Sequence, residues 1–148
     1  MFLRQVAVAD RTEWLRMRMA LWPDHTDEEH LAEMKQVTAD EVMATFVADR
    51  GDGKLGGFLE VALRKYADGC ETSPVGYIEG WYVDEDLRQR GVGGLLVKAA
   101  EQWAIEHGCT EMASDCLIDN EVSYRAHLAL GYAEVERLIH FQKGLVGF

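Results

Sequence analysis

The sequence predicts an α+β fold, and three observations carry that prediction. "GDGK" (51–54) separates two apolar runs as a hairpin turn does. Gly91, Gly93 and Gly94 stand between an apolar run and a segment whose apolar residues have helical spacing. Read along the chain, the elements come in the order β-αα-β-β-β-α-β-α-β. Hairpins in the first half exclude a wholly parallel, doubly wound sheet. The expectation is an antiparallel meander that leads into a strand, a glycine loop, a helix and a further strand. A length of 148 residues suits one domain, 1–148.

The elements follow in order. "FLRQVAV" (2–8) reads as the first strand. Asp10 stands where it can cap a helix carrying Trp14, Met17 and Leu21, which Pro23 breaks. Thr26 and Glu29, three apart, fit a capping box that opens a second helix with Leu31 and Met34. "ATFVADR" (44–50) and "LGGFLEVALRKY" (55–66) flank the hairpin turn, and "VGYIEGWYV" (75–83) is a third long strand. After the glycine loop, Leu95, Leu96, Ala99, Ala100 and Trp103 line one side of a helix that Gly108 stops. "TEMASDC" (110–116) reads as a strand. Asn120 caps a helix running to Leu130 and ending at Gly131, and "AEVERLIHFQK" (133–143) reads as the last strand.

Fifteen basic residues against 26 acidic ones give a net charge of −11. That balance disfavours a nucleic-acid backbone and admits a cationic partner. No run of 18 apolar residues offers a membrane span, and the start of the chain does not read as a secretory signal. Cys70, Cys109 and Cys116 are odd in number and irregularly spaced, which fits neither a disulfide framework nor a metal site and suits a reducing cytoplasm. Without a motif-supported His partner, Cys109 and Cys116 read as structural thiols. His25 and His30 are five apart and miss the metal spacing of a helix, so no metal is assigned.

The stretch "LRQRGVGGLL" (87–96) is the strongest functional signal. Glycines let the backbone turn sharply and approach a ligand closely. A helix that starts there offers its first N–H groups and its dipole to an anion, and Arg88 and Arg90 add charge. A diphosphate suits such a loop. A Walker loop is ruled out because no Lys-Ser or Lys-Thr follows, and the third glycine of a dinucleotide fingerprint is absent.

"RQRGVG" (88–93) matches the [Q/R]-x-x-G-x-[G/A] signature of the GCN5-related N-acetyltransferases, and "NEVSYRAHLALGY" (120–132) resembles the helix near that family's end. Five stretches in order, "LWPDH", "SPVGYIEGWYV", "RQRGVG", "EMASD" and "YAEVER", together resemble the aminoglycoside 6′-N-acetyltransferases of the bacterial resistance type. They span residues 21 to 137. The resemblance implies a mixed, mostly antiparallel central sheet flanked by helices. It also implies acetyl-coenzyme A as co-substrate, a homodimer and a role in antibiotic resistance.

The implied chemistry is direct attack by a 6′-amine on the thioester within a ternary complex. It needs a held thioester, a proton acceptor, and stabilisation of the oxyanion and leaving thiolate. The resemblance assigns the pantetheine arm to the backbone of Trp81, Tyr82 and Val83, beside a bulge that Gly80 would tolerate. It assigns the pyrophosphate to Arg88, Gln89, Arg90, Gly91, Val92, Gly93 and Gly94, and a further coenzyme contact to Asn120. The aminoglycoside falls to Trp22, Tyr66, Glu79, Asp115 and Glu136. Several carboxylates suit a substrate bearing several ammonium groups. Asp115 is the candidate base or amine-positioning group. Where the superfamily often places a proton-donating Tyr this chain has His127, so His127 is the candidate acid, with Tyr124 one turn away. Two rival functions use the same loop: an acetyltransferase for another small polyamine, and a non-catalytic coenzyme A-binding sensor.

Overall fold

The computed structural model describes residues 1–147. The elements are β1 (Phe2–Gln5), α1 (Arg11–Leu21), α2 (Asp27–Ala39), β2 (Met43–Asp49), β3 (Leu55–Arg64), β4 (Val75–Val83), α3 (Val92–Glu106), β5 (Met112–Ala113) and α4 (Glu121–Ala129). A compact unit spans Met1–Asp115, and a second begins at Cys116.

In the first unit the five strands lie in the order β1-β2-β3-β4-β5, antiparallel except for the parallel pair β4–β5. Alternation along β3 assigns its two faces. Phe58 and Glu60 share the face packed by α1 and α2, with Trp14, Met17, Met34, Val37 and Val47 in the same buried cluster. Gly57 belongs to the other face, where a Cβ would meet Leu96 of α3 at 3.1 Å. Among the described residues no helix is long and apolar enough to cross a membrane.

Local chemistry explains most boundaries. Thr26 accepts from the Glu29 amide at 3.2 Å while Glu29 accepts from the Thr26 amide at 2.9 Å, so α2 begins with the expected capping box. Gly108 has φ +87, the left-handed conformation that ends α3 at low cost. Asp10 departs from expectation. It stands at the N-cap of α1 but makes no cap bond there. Its carboxylate instead takes a fork from Arg4 (2.7 and 2.8 Å) and the Ala7 amide (2.7 Å).

Three strands also differ. β1 stops at Gln5 because Val8–Asp10 turns into a 3-10 helix; only the Val6 amide continues toward β2, to the Thr45 carbonyl at 2.9 Å. β5 is two residues long. The expected last strand, 133–143, is not a strand: the segment after Tyr132 pairs with no strand among the described residues and is exposed. Its alternating apolar residues carry the right pattern, but a strand exists only where a neighbouring backbone completes a ladder. In the second unit α4 begins as expected, with Asn120 accepting from the Ser123 amide at 3.1 Å.

Candidate active site

The site grows from β4. Its ladder with β3 pairs Glu60 with Gly80 and Val61 with Ile78, which leaves Glu79 as the extra residue of a β-bulge. Its ladder with β5 joins only Gly76 to Met112 and Tyr77 to Ala113, so pairing on that edge ends four residues before Trp81. β4 runs on past the end of β5, at the C-terminal end of a parallel pair.

Gly80 admits an aromatic ring where a side chain would stand. A Cβ on it would lie 2.4 Å from the Trp22 indole. Trp22 follows α1, stacks on His30 (centroids 6.4 Å), meets Phe58 edge-on (6.1 Å) and lies under the Arg18 guanidinium (4.7 Å). Its remaining surface and Glu79 line a cavity of about 340 Å³ together with Arg18, His25, Glu33 and Glu60. Arg18 is 1% exposed and bonds Glu60, Glu33 and His30, the last at 3.3 Å. Burial pushes the Glu60 carboxyl above the usual carboxylate range, against the pull of Arg18 and of the Trp14 indole N–H at 3.0 Å.

Glu79 and Asp115 are connected. Arg64 forks onto Glu79 (2.9 and 2.6 Å), its guanidinium lies 3.5 Å over the Tyr77 ring, and the Tyr77 hydroxyl donates to Asp115 at 2.5 Å. Burial, then the bond to Asp115, raises the Tyr77 phenol well above its ordinary range, so it stays a donor at any working pH.

The glycine loop follows β4. Asp84 is pinned by Arg16 (3.0 and 3.1 Å) and Arg50 (3.0 Å), and a 3-10 turn covers Glu85–Leu87. Gln89 (φ 60) and Gly91 (φ 84) are both left-handed, and α3 starts at Val92 with Gly91 as its N-cap. Nothing lies within 4 Å of a Cβ built on Gly91. The amides of Val92, Gly93 and Gly94 belong to the first turn, which has no carbonyl one turn back to accept them. Their geometry fits a diphosphate. Arg90 is exposed, whereas Arg88 donates to the Val83 carbonyl at 2.9 Å. The Tyr82 ring packs on Phe58 (6.2 Å), leaving its backbone for any role on the strand edge.

Tyr66 is exposed beyond β3 and donates to Asp68 at 2.9 Å. Asn120, His127 and Glu136 lie in the second unit. His127 Nδ1 sits 2.7 Å from the Ser123 carbonyl, so that nitrogen carries a proton. Glu136 is exposed in the segment that is not a strand, and its neighbour Arg137 pairs with Glu134. Tyr124 donates to Glu134 at 3.0 Å. All three cysteines are free thiols, and burial raises the Cys109 thiol, which suits an inert side chain. Among the described residues no cluster of three or more His, Cys, Asp or Glu is arranged for a metal.

Sequence reasoning missed Arg18, Glu33, Glu60, Arg64 and Tyr77. Glu60 was findable as a charge inside "LGGFLEVAL". Arg64 and Tyr77 needed the register Ala62–Tyr77, which puts them diagonally on one face.

The model of the acetyltransferase (GNAT) family matches residues 10–132. An aminoglycoside N(6′)-acetyltransferase type 1 of Klebsiella aerogenes is 44% identical over 146 residues, covering 97% of this chain and 96% of that protein. A second of that name, from Stenotrophomonas maltophilia, is 42% identical over 97% of this chain and 93% of its own. Among solved structures, AAC(6′)-Iy in complex with the bisubstrate analog CoA-S-monomethyl-acetylneamine superposes with a TM-score of 0.91 at 38% identity, covering 97% of this chain and 98% of that one.

Proposed function

The chain belongs to the acetyltransferase (GNAT) family, and from that premise we propose that it transfers acetyl from acetyl-coenzyme A to the 6′-amine of aminoglycosides, conferring resistance to them. One observation carries the reading. The bulge that turns Glu79 into a cavity with Trp22 lies on the same strand that feeds the glycine loop. A cationic acceptor and a diphosphate-bearing donor therefore meet along β4.

The residues divide the work. The amides of Gly91–Gly94, with Arg88, Gln89 and Arg90, hold the pyrophosphate. The backbone of Trp81, Tyr82 and Val83 pairs with the pantetheine arm past the end of β5, and a backbone N–H there polarises the thioester carbonyl. Asn120 adds a contact through its amide NH₂, its Oδ1 being taken by the helix cap. Trp22, Tyr66, Glu79, Asp115 and Glu136 receive the aminoglycoside: Trp22 offers the part of its ring that lines the cavity, and the carboxylates offer counter-charges.

Asp115, oriented by the Tyr77 hydroxyl, accepts a proton as the amine becomes a nucleophile. The amine nitrogen bonds to the acetyl carbon, the carbon–sulfur bond breaks, and the thiolate leaves to be protonated. Because His127 Nδ1 faces the Ser123 carbonyl, Nε2 is the nitrogen through which His127 serves as the acid.

The same reading treats the chain as one functional domain and as a homodimer in the cytoplasm. Val135, Leu138, Ile139, Phe141, Leu145 and Val146 are each more than half exposed in the segment without a strand, which supports association with a second copy. Sedimentation at micromolar concentration checks this; a monomer refutes it.

The test of function is release of coenzyme A thiol with two aminoglycosides that differ only in a 6′-amine or a 6′-hydroxyl, with spermidine alongside. Release with the 6′-amine alone is expected. Release with spermidine and neither aminoglycoside moves the enzyme to polyamines, and coenzyme binding without any release makes it a sensor.

A further inference from the structure

The substrate-facing side of the sheet carries a cation of its own. Arg64 holds both oxygens of Glu79 in a fork, at 2.9 and 2.6 Å, from the end of the neighbouring strand. Its guanidinium is kept flat by the Tyr77 ring 3.5 Å beneath it, and Tyr77 in turn bonds Asp115. Parity puts Arg64 and Tyr77 on one face, since Arg64 shares its side of the strand with Ala62 and Ala62 lies opposite Tyr77, and the hydrogen bonds bring Glu79 and Asp115 to them.

This pair is open to water. The Arg64 side chain is 43% exposed and that of Glu79 is 25% exposed. An ion pair so placed adds little to folding, because water and salt screen both partners. Its effect falls on Glu79, which reaches the cavity beside Trp22 already holding a cation. An ammonium that takes Glu79 must displace a bidentate guanidinium. One ammonium exchanges a fork for a point charge and gains nothing. A polycation recovers the difference at a further carboxylate, Asp115, whose partner is the neutral Tyr77 hydroxyl.

Resting on the aminoglycoside reading above, we propose that Arg64 is a specificity-determining residue: an internal counter-cation on Glu79 that the substrate displaces, which raises the threshold against amines of low charge. Removing Arg64 frees Glu79 and makes the site more negative by one charge. Cations then bind more tightly, and monoamines, which have no second carboxylate contact to offset the exchange, gain a net attraction they lacked.

The experiment titrates wild type, Arg64→Ala, Arg64→Gln and Arg64→Lys with the 6′-amine aminoglycoside and with butylamine by calorimetry, at low and high salt. Initial rates give kcat and both KM values. In the Ala and Gln variants the aminoglycoside Kd falls about two- to fivefold, the scale of one exposed charge contact. Butylamine gains by a similar factor, and the KM for acetyl-coenzyme A stays put. The Lys variant falls between. Glu79→Gln combined with Arg64→Ala abolishes the gain. A weaker or unchanged aminoglycoside Kd in both neutral variants overturns the proposal, and a weaker one makes Arg64 a prop for Glu79. A parallel change in acetyl-coenzyme A KM and Tm makes it a structural residue and also overturns it. Wild type that neither binds nor acetylates the aminoglycoside refutes the functional reading itself, and this inference with it.

Discussion

Replacing Gly80 by alanine isolates the contact that sets the Trp22 ring. A Cβ at Gly80 falls 2.4 Å from Cη2 and 2.7 Å from Cζ2 of the indole, whereas ordinary contact begins at 3.4 Å. Restoring that distance moves the ring, or the strand, by about 1 Å. Neither yields easily. The ring is backed by Phe58 and His30 and covered by Arg18, and Gly80 is held in register opposite Glu60. Overpacking of this kind costs about 1–3 kcal/mol. In a protein of this size each kcal/mol lowers Tm by roughly 2–4 °C. The expected drop is therefore roughly 2–12 °C. The displaced indole also presents a different surface to the cavity, so the aminoglycoside KM rises while the acetyl-coenzyme A KM holds. Thermal unfolding and initial rates measure both. The control is Trp22→Phe, whose shorter ring lacks the outer indole carbons. In that background Gly80→Ala loses most of its penalty, a coupling of about 0.5–3 kcal/mol. An equal penalty in both backgrounds, or a wild-type Tm and KM in the single variant, refutes the packing account.

Three further outcomes are expected. Gly91→Val forces a β-branched residue to φ 84, where an ordinary L-residue costs about 1–2 kcal/mol, so the acetyl-coenzyme A KM rises about five- to thirtyfold. Gly91→Asn, which tolerates that conformation, changes it less, and equal effects reject the backbone explanation. Asp115→Asn lowers kcat by about a hundredfold or more, the scale of a lost general base, with acetyl-coenzyme A KM unchanged; wild-type turnover removes Asp115 from the proton transfer. Arg4, then the Ala7 amide, holds the Asp10 carboxyl below its ordinary range. A depressed folded pKa contributes stability in full above the unfolded value and loses it as pH falls through the folded one. The stability gap between wild type and Asp10→Asn, read by urea unfolding, therefore narrows from pH 7 to pH 3, and a constant gap contradicts that linkage.

Elements whose signals are local were legible in the sequence. The capping box at Thr26 and Glu29, the hairpin turn at "GDGK" and the stops at Pro23 and Gly108 each depend on a few adjacent residues, and each stands where expected. Asp10 failed because a cap and an ion pair compete for the same carboxylate. Arg4, six residues earlier, offers a charged fork that a backbone amide does not match. The segment 133–143 failed for a different reason. Its alternation specifies a face, but pairing requires a partner backbone, and alternation does not name one.

The site divides along the same line, which explains its missing members. The glycine loop is a contiguous motif, and it appears in the structure as a left-handed Gly91 opening α3. Glu79 and Asp115 stood out singly as carboxylates in or beside strands. What joins them, Arg64 and Tyr77, is invisible without register. A bulge at Glu79 shifts every pairing beyond it by one residue, so no count along the sequence brings Arg64 opposite the right partner. The same bulge faces Glu79 toward both the Arg64 fork and the Trp22 cavity. On the displacement proposed above, its carboxylate is contested between Arg64 and an incoming cation, so the draw of this site depends on which carboxylates are already paired as well as on how many there are.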